Sequence, residues 1–192
     1  MLKHQFAIVP LSILILFTSS CLVAGQVERS GPCREDIEFV SSVDPSIFEI
    51  NWYMHSRYPF NSDENFRCYK TEYTHRNNKV YRVKNSKIHK ENNCVNSKTA
   101  TITILSGGKI EVEYDEPGAP VLRYNILTYC NDYVISYICE NLPGRKHKEF
   151  LWINTNHHKP PKHVKDAYIK ALKARGISTR ELQWINHDNC NY

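Results

Sequence analysis

The sequence predicts an all-β protein, an eight-stranded up-and-down antiparallel barrel with one C-terminal α-helix packed outside. Strand-like runs follow one another from Phe48 to Thr155, and short polar turns separate most of them. A single stretch of helical period comes after the last run. Eight strands joined in order favour closure, because a closed barrel leaves no open sheet edge. A β-sandwich with the same strands is the alternative, since strand count alone does not exclude it.

The strand candidates show period-two alternation or are rich in β-branched and aromatic residues. The clearest is the fifth, in which Ile110, Val112 and Tyr114 alternate with acidic residues. A polar stretch over residues 90–97 is predicted to be a loop. The eight candidates are, in order, Phe48–Tyr58, Cys68–Tyr73, Lys79–Val83, Thr99–Leu105, Ile110–Asp115, Val121–Tyr129, Tyr133–Cys139 and Glu149–Thr155.

The helix is predicted from one apolar stripe that follows Pro160 and Pro161. Its members stand at i, i+3, i+4, i+7 and i+8, which places them on one face: Val164, Ala167, Tyr168, Ala171 and Leu172. Gly176 is suited to end the helix, because a glycine accepts the left-handed backbone of a C-terminal cap. We expect the stripe to dock on the outside of the barrel.

Residues 1–25 are predicted to be a secretory signal peptide, with a weakly basic start, a short apolar run and small residues before Gly25. Later stretches are too short for a membrane span, so no stable membrane insertion is expected. The formal net charge of +5 becomes about +4 without Lys3. Basic and acidic residues alternate, so no nucleic-acid-binding stripe is predicted.

The cysteines agree with a secreted, extracellular protein. Of seven, Cys21 lies in the predicted signal peptide, which leaves six: Cys33, Cys68, Cys94, Cys130, Cys139 and Cys190. An even number in an exported chain argues for disulfides, although residue spacing alone leaves fifteen pairings open. No C-x-x-C pair occurs, which argues against zinc and dithiol chemistry.

No pattern of catalytic residues stands out. The chain has no G-x-S-x-G, no P-loop and no H-E-x-x-H. His157 and His158 lie in a polar segment typical of an exposed loop, and His75 lies beside a predicted turn. We therefore predict no enzymatic activity, no metal site and no required cofactor.

Several features in a fixed order resemble the lipocalins, and most closely their arthropod members. Trp52 stands where the family has an invariant Trp, with Ile50 in the place of its usual Gly. Thr128 represents the second family motif. The third corresponds to residues 151–156, which lack the Arg that covers the Trp in the family. The resemblance implies a single lipocalin domain over residues 26–192.

The same resemblance implies two disulfides, Cys33 with Cys139 and Cys68 with Cys190. Cys94 and Cys130 would pair by elimination. However, they fall in loops at opposite ends of the barrel, and a bridge needs Cα atoms within about 7 Å.

In function, the resemblance implies a secreted carrier of a small hydrophobic ligand, with a tetrapyrrole such as biliverdin as the first specific candidate. Relatives such as insecticyanin, the bilin-binding proteins and apolipoprotein D suggest this. Salivary lipocalins suggest the alternative, a secreted effector that sequesters amines or lipids or blocks host proteins. Neither the oligomeric state nor the tissue of expression follows from the sequence.

The ligand is expected to sit among inward-facing apolar and tyrosine side chains, because tyrosine offers both an apolar face and a hydroxyl. Arg57, near the first loop, is a candidate partner for an acidic group of the ligand at the solvent mouth. The predicted lining residues are Met54, Tyr58, Tyr73, Ile102, Ile110, Val112, Tyr114, Tyr124, Ile135 and Tyr137.

Overall fold

The computed structural model describes residues 27–60 and 64–191 and contains a closed antiparallel barrel. The predicted signal peptide lies outside the described residues. Each barrel strand pairs with its neighbours in the chain, and the last pairs with the first. The barrel strands are β2 (Trp52–Arg57), β3 (Phe66–Asn77), β4 (Val80–His89), β5 (Val95–Ile104), β6 (Lys109–Tyr114), β7 (Leu122–Tyr129), β8 (Tyr133–Leu142) and β9 (Lys146–Thr155).

The predicted eight-stranded barrel is therefore confirmed, and the sandwich alternative is excluded by the pairing of β9 with β2. Two short strands were not predicted. β1 (Val27–Ser30) pairs with β9, and β10 (Gln183–Trp184) pairs with β2. The predicted loop over residues 90–97 is shorter than expected, because β5 already begins at Val95.

The predicted helix is also confirmed, as α1 (Lys162–Ala174). It buries Val164, Tyr168 and Leu172 against the barrel, whereas Ala167 is exposed. The helix ends at Ala174, and Gly176, two residues further on, has a φ of 64°, in the left-handed region. There the Ile177 amide donates to the Leu172 carbonyl at 3.0 Å, so the cap satisfies a carbonyl that the helix itself leaves open.

The two ends of the barrel differ. At one end the chain crosses the barrel before β2, in a 3-10 turn (Pro45–Phe48), and Trp52 is almost fully buried beneath it. The Trp52 indole nitrogen donates to the Ile47 carbonyl at 2.6 Å. The backbone of Val40 passes directly against Gly108 at this end. Only a glycine fits at position 108, because a Cβ there would lie 2.0 Å from the Val40 carbonyl oxygen. This is the closed end, and the opposite end is open.

Two disulfides fasten the segments outside the barrel to its strands. Cys33, before the barrel, bonds to Cys139 of β8, and Cys190, near the C-terminus, bonds to Cys68 of β3. These are the pairings that the family resemblance implies. Cys94 and Cys130 are free and exposed. Cys94 precedes β5 at the open end and Cys130 follows β7 at the closed end, so the pairing by elimination is not formed.

Candidate functional site

The interior of the barrel holds a cavity of about 610 Å³ that is reached from the open end. Its walls are the inward-facing residues of β2 to β9, because successive side chains of a strand point to opposite faces. Ligand cavities in proteins commonly measure about 300–1,000 Å³. The space is thus sufficient for one small molecule.

The lower part of the cavity is apolar. Aliphatic side chains from β5 to β8 meet there above the Trp52 and Phe48 rings, and all of them are buried. No carboxylate or amine of the described residues lines this floor. The aliphatic floor residues are Ile102, Ile110, Val112, Ile126 and Val134.

Four tyrosines line the cavity, and three of them interact with one another. We call these three the tyrosine cluster: Tyr73, Tyr114 and Tyr124. Burial, and then the neighbouring phenol of Tyr114, raise the pKa of Tyr73 and of Tyr124 well above the usual range. A side-chain hydrogen bond joins Tyr124 to Tyr114. Phenols with raised pKa values stay neutral near pH 7, so their hydroxyls can both donate and accept hydrogen bonds.

Aromatic rings continue from the tyrosine cluster along β9. The Tyr124 ring lies 5.2 Å from the Trp152 ring, and Trp152 is stacked on Phe150 with 5.9 Å between ring centroids. The Lys148 ammonium lies 5.3 Å from the centroid of the Phe150 ring. Of these rings, those of Tyr124 and Trp152 line the cavity, so a flat, conjugated molecule in it could contact both.

The rim of the cavity is polar. Lys70, Lys87 and Lys98 belong to its lining, and Glu116 is the one carboxylate among the described lining residues. Lys98 forms an ion pair with Glu116, and Lys70 forms one with Glu72 at 2.9 Å. The Thr71 hydroxyl donates to the Asn85 side-chain oxygen at 2.8 Å just below. The rim is thus richer in cations than in anions, whereas the floor is apolar.

Seven of the ten predicted lining residues do line this cavity: Met54, Tyr73, Ile102, Ile110, Val112, Tyr114 and Tyr124. They come from β2, β3, β5, β6 and β7, and their side chains converge because the barrel closes. Whether they bind a ligand stays a prediction.

The other three predicted residues, Tyr58, Ile135 and Tyr137, lie on the outer face of the barrel and pack in the cluster beneath α1. In β8 the residues that line the cavity are Val134 and Ser136, so the expected phase of this strand was wrong by one residue. The Tyr58 hydroxyl instead donates to the Ser178 carbonyl at 2.7 Å.

Each of these corrections has a physical cause. β8 is buried on both faces, since α1 covers its outer side, and a strand that is apolar on both faces gives no alternation to set its phase. In β2 the register with β9 shifts between Met54 and Ser56. Such a bulge turns the residues after it to the opposite face from simple alternation.

Sequence reasoning missed the four lining residues of β8 and β9, namely Val134, Ser136, Trp152 and Asn154. The alternation of Phe150, Trp152 and Asn154 with Leu151 and Ile153 was a usable signal. It was weak because both sets contain large apolar side chains, so neither face is marked as the outer one.

Two further predictions concern polar chemistry. No group of three His, Cys, Asp or Glu side chains in residues 27–60 and 64–191 is placed to hold a metal ion. Arg57 lies at the open end of β2, as expected for a residue near the first loop. It is only 2% exposed, so it does not stand in solvent at the mouth.

None of the described helices is long and apolar enough to span a membrane.

A closed eight-stranded barrel with an internal cavity and one outer helix has the form of a calyx protein. The model of the lipocalin / cytosolic fatty-acid binding protein family matches residues 51–187. The chain therefore belongs to this family. A comparison with curated protein sequences finds no match.

Solved arthropod structures share the fold at low sequence identity. Insecticyanin of the tobacco hornworm Manduca sexta is 20% identical, with a TM-score of 0.78 over 88% of this chain and 94% of that one. Lobster apocrustacyanin A1 is 14% identical, with a TM-score of 0.67 over 78% and 83%. The cockroach allergen Per a 4 is 18% identical, with a TM-score of 0.63 over 81% and 94%.

Proposed function

We propose that this protein is a secreted carrier that binds one small hydrophobic ligand in its barrel, with a bilin as the first candidate. The observation that carries the proposal is the cavity itself, with its apolar floor and the tyrosine cluster above it. Apolar walls with a few polar groups are typical of small-molecule sites. The resemblance to insecticyanin supports a tetrapyrrole such as biliverdin.

The arrangement suits such a ligand in two respects. A flat conjugated ring system would lie against the rings of Tyr124 and Trp152, which both line the cavity. The polar edge of a bilin carries lactam groups that can exchange hydrogen bonds with neutral phenols. Secretion is supported by the two disulfides, which persist in oxidising compartments.

The alternative of an amine-sequestering effector has weaker support. An amine is protonated near pH 7, and it needs a carboxylate or an aromatic cage when it is buried. Glu116 is the one carboxylate in the described lining, it stands at the rim, and Lys98 already pairs with it. The charge of the cavity thus favours neutral or anionic ligands over cations.

The test is titration of the purified protein with biliverdin, followed by the visible absorption of the pigment and by tryptophan quenching. The Val112→Asp variant should bind at least about tenfold more weakly, because it places an unpaired charge on the apolar floor. Val112 is only 2% exposed. Lys109→Asp, on the same strand but exposed, is the matched control and should bind as the wild type does. If the wild type binds neither biliverdin, haem nor fatty acids at micromolar concentrations, the carrier function is wrong.

A further inference from the structure

Arg57 belongs to the cavity face of the barrel wall. Its directly opposite partner on β9 is Trp152, which lines the cavity. Residues directly opposite each other in an antiparallel pair share a face of the sheet. The next residue along, Tyr58, packs on the outer face. The Arg57 side chain is therefore placed on the inner side, near the open end.

The Arg57 guanidinium is buried without adequate partners. Only 2% of the residue is exposed. Its Nη1 donates to the carbonyl oxygens of Tyr58 and Phe60, both at 3.4 Å, which is long for a hydrogen bond. Its Nε is buried with no hydrogen-bond partner. No carboxylate among the described residues forms an ion pair with it.

A buried cation without a counter-charge is costly, and a cation of this kind is normally paired. Arginine is always charged, and its planar fork matches the two oxygens of a carboxylate. Phe60, whose carbonyl Arg57 contacts, and Met54, on the same strand, both line the cavity. Arg57 itself is not among the lining residues, and Met54 and Phe60 are the lining residues nearest to it along the chain.

We propose that Arg57 is the counter-ion of the ligand, and that the natural ligand carries a carboxylate. This inference rests on the proposed carrier function and names the chemical class of its ligand. The acid group would be enclosed beneath the rim, beside Arg57, rather than held in solvent, and the apolar part would extend toward the floor. The cationic rim would also draw an anion toward the mouth.

The test compares tetradecanoic acid with tetradecanol, which differ in the charged group and share the chain length. Binding is followed by tryptophan fluorescence, since Trp152 lines the cavity. The wild type should bind the acid at least about tenfold more tightly than the alcohol, as expected for a hydrogen bond between charged groups. Arg57→Met should abolish this preference and leave alcohol binding unchanged. Arg57→Lys should retain part of the preference.

Arg123→Met is the matched control, because Arg123 is an exposed arginine that pairs with Glu111 outside the cavity. It should keep the full preference for the acid. The melting temperature of Arg57→Met without ligand should not fall below that of the wild type, since the change removes an unpaired buried charge.

The outcomes separate the two proposals. If the wild type binds acid and alcohol equally, the cavity is a binding site but the assignment of Arg57 is wrong. A full acid preference in Arg57→Met would also overturn it. If neither compound nor biliverdin binds, the carrier function itself fails. If Arg57→Met does not fold, the acid preference of the wild type and its partial retention in Arg57→Lys decide the matter.

Discussion

His55 shows how a single residue on the outer face couples the barrel to the helix. It is 7% exposed, and its Nδ1 is hydrogen bonded to the Tyr168 hydroxyl of α1 at 2.9 Å. The Trp184 ring of β10 packs against it edge-on. Burial, followed by the charges of Lys165 and His187, lowers the pKa of His55 to about 4. The side chain is thus neutral in the folded protein near pH 7.

Folding stability should therefore fall as the solution is acidified. An unfolded His55 takes up a proton below pH 6.5, whereas the folded one does not until about pH 4. The unfolded state binds more protons in that window. The contribution of His55 to the free energy of unfolding is therefore fully present above pH 6.5 and is lost as the pH falls toward 4. With solvent screening taken into account, the titration of His55 should lower the free energy of unfolding by roughly 1 kcal/mol at pH 5. His187, whose pKa is also lowered mainly by burial, acts in the same direction.

The measurement is urea unfolding of the wild type and of His55→Gln at pH 7.5 and pH 5. Glutamine can still accept from Tyr168 but does not titrate, so the difference between the two pH values should shrink. His75→Gln is the control, since His75 is exposed on β3. An equal pH dependence in His55→Gln and the wild type would contradict the assignment to His55.

Predictability from sequence also varies at the residue scale. Ile110, Val112 and Tyr114 could be placed in the cavity because charged neighbours mark the outer face of β6. Tyr137 could not, since its outer position depends on α1 covering β8 from a distant part of the chain. Its hydroxyl donates to Glu149, a carboxylate buried on the outer face, at 2.8 Å. A buried carboxylate there contradicts the simple expectation that charges mark exposed positions.

At the scale of elements, the long strands and the helix were predictable because each carries its own repeating pattern. β1 and β10 carry none. They contain four and two residues, and each pairs with the part of a barrel strand that extends past its barrel neighbour. Their pairing with β9 and β2 depends on the whole barrel.

The helix should contribute to stability mainly through three side chains rather than through its intrinsic propensity. Leu172 is fully buried within the outer cluster. Leu172→Ala should lower the free energy of unfolding by about 2–5 kcal/mol through lost apolar contact and the cavity left behind. Urea denaturation measures this. Lys170→Ala, on the exposed side of the same helix, should change stability by less than about 0.5 kcal/mol. Equal effects in the two variants would contradict the packing of α1.

At the scale of the whole molecule, the barrel divides the chemistry between its two ends. The closed end is sealed by the 3-10 turn over Trp52, and the open end carries the cationic rim. Cys94 and Cys130 belong to opposite ends and are both exposed. They are therefore too far apart to form a bridge within one chain.

A mature chain beginning near residue 26 should accordingly contain two reactive thiols. Titration of the native protein with a thiol reagent should give two equivalents per chain, and the same number should appear in denaturant. Cys94→Ser and Cys130→Ser should each reduce the count to one. A count of zero in denaturant would show that these two cysteines are bonded, to each other or between chains.

The two disulfides have a consequence for the covalent integrity of the chain. The bridge from Cys33 to Cys139 overlaps the bridge from Cys68 to Cys190, so the two loops interlock along the chain. Every peptide bond between residues 33 and 190 lies inside at least one of them. A protease that cuts once anywhere in this span leaves two pieces still covalently joined. A nick in an exposed loop would therefore not by itself release part of the calyx, and cleavage would become visible only after reduction.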